Sequence, residues 1–304
     1  MAVPNRTLRA EAEALSAPLP PLLVAADRVA ATVAQGVHGR RRTGQGETFW
    51  QFRGYEQGDP PQLIDWRQSG KTDRVFVREL EWEAAQSLWL WRDGSASMAW
   101  RSYDDLPEKR ERAELLLLAT ASLLVRAGEH VALLDRPGPP RAGRGTLMRM
   151  AMQLQREHAA DPKAAAEKPE ASGIPPARDL PRNAELVLIG DFLCPPDELG
   201  ERIRNYAANG IHGHMVQVLD PAEETLPYHG RIRFEGLEGE PNWLLSRVEG
   251  VRERYLARLN ALRESLEDLA ASVGWSLTLH RCDHAPEAAV LALYQALSLP
   301  REKL

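Results

Sequence analysis

LWLWRDGSASM, residues 88–98, decides how the rest of the chain is read. Its alternating Leu and Trp side chains suit a strand buried on both faces, the pattern of parallel sheets covered by helices. The run stops at Asp93, and Asp93, Ser95 and Ser97 then take every second position of the loop. A connection that only turned the chain would need Gly and a single Asp. Three oxygen-bearing side chains in one strand-end loop are the material of a polar site.

Outward from this stretch, short apolar runs alternate with longer amphipathic ones. Strands are predicted at 87–92, 131–135 (VALLD), 186–190 (LVLIG), 214–219 (HMVQVL) and 275–280 (WSLTLH). Helices are predicted between and after them, at 108–127, 146–158, 197–208, 250–273 and 286–298. This order predicts a doubly wound, mainly parallel α/β sheet. The reading assigns residues 87–300 to the α/β domain, with a β insertion near 223–248, and residues 1–86 to an N-terminal region. That region opens with a helix over 19–35, where Leu22, Leu23, Ala26, Val29, Ala30 and Val33 follow the 3.6-residue period, and continues as loops and extended pieces over 39–72. RIRFE (231–235) and RVFVRELEW (74–82) both alternate and are expected to join in a small β subdomain. The Pro- and Ala-rich stretch 159–184 reads as a partly mobile connection.

Composition narrows the functions open to such a fold. With 43% hydrophobic and 27% charged residues, the 304-residue chain has the make-up of a soluble globular protein. A net charge of −5 gives no general attraction to nucleic acid or an anionic membrane. Cys194 and Cys282 do not make a disulfide framework, so a reducing compartment is expected. No apolar run reaches the ~20 residues that span a bilayer, and charged residues stand where a signal peptide needs an apolar stretch. The expected location is the cytoplasm, with no membrane span and no nucleic-acid partner.

Doubly wound sheets bind ligands beyond the carboxyl ends of their strands, near the point where the winding reverses. Asp93, Ser95 and Ser97 follow one strand, Thr146 precedes a helix after the Gly-rich loop behind VALLD, and Asp191 follows LVLIG. Hydroxyls and carboxylates are hard ligands, suited to Mg²⁺, Mn²⁺ or Ca²⁺. With Ser95, Ser97 and Thr146 bound directly and the carboxylates of Asp93 and Asp191 acting through water, an ion would keep an open position. An Asp or Glu of a partner protein could fill it.

The D-x-S-x-S loop, with Thr146 and Asp191 in that chain order, resembles the metal-ion-dependent adhesion site of von Willebrand factor A domains. Upstream, Arg53, Tyr55, Gly58 and Asp59, then Ile64, Asp65 and Trp66, match the R-x-Y-x-x-G-D and I-D-W elements of the bacterial family known as domain of unknown function 58. VLDPAEETLPYHGRIRFEGLE (218–238) is also similar to that family, so the resemblance runs over roughly 38–300. It implies a von Willebrand A-like domain and a MoxR-type AAA+ ATPase as partner, in maturing or assembling other proteins. Many members carry N-terminal membrane helices, and this chain reads as a version without them. Pro60, Pro61 and Gln62 depart from the usual charged residues of the first element, and SGK (69–71) from a Ser-Ala-Arg-like stretch.

Other motifs point nowhere specific. SGKT (69–72) lacks the first Gly of a phosphate-binding loop, since Asp65 stands there, and DGSASM lacks the flanking glycines of a nucleophile elbow. His280, Cys282 and His284, or His212 and His214, share strand faces without further ligands elsewhere. The expectation is a non-enzymatic, metal-assisted protein-binding module. A metal-dependent hydrolase and a metal-free scaffold are the alternatives.

Overall fold

A computed structural model describes residues 20–37, 49–55, 64–71, 74–80, 86–158, 173–237 and 241–298. Most of the connection expected over 159–184 therefore lies outside the described residues. The chain divides into two compact units, one within 38–85 and one within 1–37 and 86–304.

In the larger unit, helix α1 (Pro21–Val37) precedes a five-stranded sheet; the small unit, described below, contributes β1, α2 and β2 between them. The sheet order is β4 (His130–Leu133), β3 (Ser87–Arg92), β5 (Glu185–Gly190), β6 (His212–Leu219), β9 (Ser276–Arg281). Every neighbouring pair is parallel. Helices α3 (Lys109–Arg126), α4 (Arg144–His158), α5 (Pro196–Ala208), α7 (Glu249–Ser272) and α8 (Pro286–Ser298) flank it. This is the doubly wound α/β fold expected from the strand rhythm.

Side-chain alternation along each strand divides the interior into two layers. Leu88, Leu90, Val187, Ile189, Val216 and Val218 face a core filled by α1, α3, α4 and α8. Trp89, Trp91, Leu186, Leu188 and Met215 face the opposite core, closed by Leu199 and Ile203 of α5 and Leu266 of α7. Because both faces are covered at the centre of the sheet, β3 and β5 carry no polar stripe and read as nearly continuous apolar runs, whereas β9 at the edge alternates Ser276, Thr278 and His280 with leucines. The N-terminal helix belongs to this unit: Leu23, Ala26 and Ala30 are buried in the same core as Leu117 of α3.

The smaller unit pairs β1 (Phe49–Gly54) antiparallel with β2 (Phe76–Leu80), with the single-turn helix α2 (Trp66–Ser69) between them. Asp65 caps that turn by accepting from the Gln68 amide at 2.8 Å, and Ser69 Oγ accepts from the Phe76 amide at 2.9 Å. The I-D-W element thus has a local structural use.

The pairing expected between 74–82 and 231–235 does not occur. After β6, the short helix α6 (Pro221–Thr225) leads to β7 (Ile232–Phe234), which pairs with β8 (Trp243–Leu245). Each alternating segment takes a partner close in sequence, where loop closure costs less entropy than joining segments from distant parts of the chain. FWQFRG, hidden among glycines and charges, was the partner that periodicity did not reveal.

One buried charge network sets a pH dependence. Arg92 lies between Glu114 of α3 (Nε to Oε1 3.2 Å) and Glu157 of α4 (Nη2 to Oε2 2.8 Å). Burial pushes the Glu114 carboxyl up to about 7, against the pull of Arg92. Between its ordinary 4.5 and that value, the folded chain holds a proton the unfolded chain has released, so stability falls as pH rises through this window. His280 acts in the opposite sense. Burial lowers its imidazole to about 4, so stability falls as pH drops from 6.5 toward 4. Glu114→Gln is expected to gain on the order of 2 kcal/mol relative to wild type between pH 5 and pH 8, since each pH unit crossed in the window costs about 1.4 kcal/mol. Urea unfolding at the two pH values reads this directly, and an equal difference at both would remove burial of Glu114 as the cause.

Candidate functional site

From β3 the chain crosses to β4 on one side and returns to β5 on the other, so the carboxyl ends of β3 and β5 flank the reversal of winding. Asp93 and Asp191 are the first residues beyond those two ends. The Asp93 amide donates to the Ile189 carbonyl at 2.8 Å, extending the ladder by one residue. Asp93 Oδ1 accepts from the Ser95 amide at 2.8 Å, closing an Asx-turn that opens a single 3₁₀ turn over Ala96–Met98.

That turn returns the hydroxyls toward β5. Ser95 Oγ lies 3.0 Å from Ser97 Oγ, and Ser97 Oγ donates to Asp191 Oδ2 at 2.8 Å. The other carboxylate oxygen, Asp191 Oδ1, accepts from the Leu193 amide at 3.0 Å. Phe192 between them is fully buried with φ of 55°, a left-handed conformation that a non-glycine residue adopts only where its surroundings hold it. Gln217 Nε2 of β6 donates to the Asp191 carbonyl at 3.1 Å. Gly190 makes room for the pair of strand ends: a Cβ there would stand 2.7 Å from Asp93 Cβ, closer than real atoms approach. Asp93, Ser95, Ser97 and Asp191 are thus gathered on one rim.

Thr146 is not joined to them in this way. The helix predicted over 146–158 starts two residues earlier, at Arg144, so Thr146 lies inside the first turn. Its hydroxyl donates to the Ala142 carbonyl at 3.1 Å and accepts from Arg149 Nη2 at 2.9 Å. A Thr within a helical turn readily bonds the carbonyl four residues back, which fixes the hydroxyl, and here the Arg149 guanidinium takes the lone pair that an ion would need.

Two charged residues of the rim escaped the sequence reading. Lys109, the first residue of α3, is 1% exposed, and its Nζ donates to Asp191 Oδ2 at 2.8 Å and Glu223 Oε1 at 2.6 Å. Glu223 comes from α6, where its Oε2 accepts from the Asp220 amide at 2.9 Å and its carbonyl accepts from the Tyr255 hydroxyl at 2.7 Å. Burial opposes the charge on Lys109, but Asp191 and Glu223 outweigh it and hold the ammonium above the ordinary lysine pKa. A signal was present: a lysine in the first turn of a helix opposes the macrodipole and needs a local reason to be there.

The chemistry of the rim is that of a cation holder built from hydroxyls and carboxylates. The Lys109 ammonium already stands at the Asp191 oxygen and shows that a positive charge fits there. Among the described residues no three His, Cys, Asp or Glu side chains gather as a ligand set, so any ion would rely on Ser95 and Ser97. No described helix is long and apolar enough to cross a membrane.

Comparison with known proteins gives a family match and several distant structures. The family model described as Protein of unknown function DUF58 matches residues 51–265. No curated protein matches the sequence. The conserved hypothetical protein BatB from Bacteroides thetaiotaomicron is similar at 15% identity, with 70% of this chain and 98% of that chain covered and a TM-score of 0.38. An aerotolerance-related membrane protein from Bacteroides fragilis, carrying multiple mutations to serine, is similar at 15% identity over the same shares, with a TM-score of 0.40. An uncharacterized membrane-spanning protein from Vibrio fischeri has 14% identity, 70% and 97% coverage and a TM-score of 0.17.

Proposed function

As the chain belongs to the family described as Protein of unknown function DUF58, whose description names no activity, we propose a function from the chemistry of the rim. The protein is a non-enzymatic docking module that takes an acidic side chain of a partner protein at the β3/β5 rim through a divalent cation. The supporting observation is the chain of contacts from Ser95 through Ser97 and Asp191 to Lys109, oxygen ligands gathered around a buried positive charge. Hard oxygens favour Mg²⁺, with Mn²⁺ or Ca²⁺ as substitutes. Ser95 and Ser97 would hold the ion directly, with Asp93 and Asp191 acting through water. When bound, the ion supplies an open coordination position for a carboxylate. The family resemblance suggests a MoxR-type AAA+ ATPase as the partner, in protein maturation or complex assembly.

Lys109 and the ion compete on this reading. Charges of one and two units about 4 Å apart repel by about 8 kcal/mol even at an effective dielectric near 20. Entry of an ion therefore requires the ammonium to leave Asp191 and stay with Glu223. Calorimetric titration with Mg²⁺ and Mn²⁺ tests this on three proteins. Wild type is expected to bind, Asp93→Ala to lose binding, and Lys109→Met to bind on the order of tenfold more tightly or better. Heat from Lys109→Met alone would favour a second reading, in which the lysine is the permanent cation of a metal-free rim. Silence from all three, with partner capture indifferent to EDTA, would end the metal link.

A further inference from the structure

The edge of the sheet beyond β4 holds a second polar feature that the rim does not use. A cavity of about 290 Å³ opens between β4 and the first turns of α4, and Arg136, Arg141 and Arg149 line it together with Thr146. No Asp or Glu is among the described residues that line it. Three guanidiniums around one small cavity repel one another, and such an arrangement is stabilised by an anion placed between them.

Arg136 and Arg149 are held by side-chain contacts, and Arg141 is placed by its backbone. Arg141 is fixed through its backbone, which exchanges two hydrogen bonds of 3.0 Å with Val131 on the edge strand. Arg149 folds back along its helix so that Nη2 donates to Thr146 Oγ1 at 2.9 Å. Arg136 is tied on its outer side to Glu157 of α4. The loop carrying Arg136 is itself pinned by Arg178, which donates to the Leu134 carbonyl at 3.0 Å and the Gly138 carbonyl at 2.8 Å. With Arg136 compensated by Glu157, Arg141 and Arg149 leave the cavity with a surplus of positive charge.

We propose that this cavity binds a phosphate group, as the free ion or as a phosphomonoester. Guanidinium is planar and delocalised, and it matches phosphate oxygens two at a time, which a carboxylate-lined or purely apolar cavity could not do. The volume admits a phosphate with room for part of the group that carries it. Thr146 then has a use other than that of a metal ligand: it is a positioning residue that holds Arg149 against the cavity. The site stands on residues separate from Asp93, Ser95, Ser97 and Asp191, so it does not depend on whether the rim takes an ion.

The test is calorimetric titration of the full chain with inorganic phosphate and with a phosphoserine peptide, in chloride buffer of constant ionic strength. Wild type is expected to bind at least one of them, and which one binds identifies the source. Arg149→Gln is expected to lose roughly tenfold or more, with no rescue by Arg149→Lys, because an ammonium lacks the two-pronged geometry. Thr146→Val keeps the shape but removes the hydroxyl, and is expected to weaken binding by a smaller factor. Arg149 is exposed, so its two substitutions leave the core intact. The inference is overturned if wild type binds neither probe above the chloride background, if Arg149→Gln binds as tightly as wild type, or if Arg149→Lys binds as well as Arg149.

Discussion

Asp191→Ala is expected to cost the α/β unit about 3–5 kcal/mol, the range for removing one partner of a buried ion pair. Lys109 would keep its charge in the interior with Glu223 alone. Ser97 Oγ would lose its acceptor, and so would the Leu193 amide that the left-handed Phe192 turns toward the carboxylate. The effect belongs to charge, not to volume, and the way to show this is a pair of further variants. Asp191→Asn keeps an acceptor oxygen but cannot neutralise Lys109, and is expected to cost nearly as much as Asp191→Ala. The double substitution Asp191→Ala with Lys109→Met is expected to cost less than the sum of its parts, because it removes both members of the pair. Urea unfolding reads all three, and a loss below about 1 kcal/mol for Asp191→Ala would place the pair among weakly coupled surface contacts.

The second large effect lies at the other end of β6. Trp275 is buried just before β9, and its Nε1 donates to the Ile211 carbonyl at 3.2 Å. Its ring lies flat on Gly213 of β6: a Cβ added there would meet three ring atoms at 2.2 to 2.4 Å. Trp275→Ala is expected to cost about 3–5 kcal/mol through the cavity it leaves. Gly213→Ala is expected to cost about 1–3 kcal/mol through the displacement it forces on the ring. Combining the two is expected to fall short of their sum, since the added methyl then occupies space that the indole has vacated. Strict additivity in a thermal or urea series would show that the ring does not depend on the glycine. These changes are far in sequence from Asp93 and probe the fold without touching the rim chemistry.

The rhythm was legible in the central strands because a sheet covered on both faces favours apolar side chains at nearly every position there. LWLWR and LVLIG announce themselves without reference to anything distant, and their ends at Arg92 and Gly190 are where apolar character stops. Once two such parallel strands are recognised, Asp93 and Asp191 must lie at the same rim. Ser95 and Ser97 follow from the turn that Asp93 itself closes. The antiparallel pairs were not legible in the same way. β1 and β7 lie among glycines and charges, β7 is only 3 residues long, and both gain their stability from a neighbour whose identity depends on loop closure and not on any period of their own.

The sheet, its two apolar layers and the meeting of the D-x-S-x-S loop with Asp191 can be read from residue order alone. The company those oxygens keep comes from packing. Lys109 reaches Asp191 and Glu223 from a different crossover, and Thr146 turns to Arg149 because its helix begins early. Burial of apolar area is encoded residue by residue and is read from composition and spacing. A buried charge is stable only beside its counter-charge, and which segment supplies that partner is settled when separate crossovers pack together.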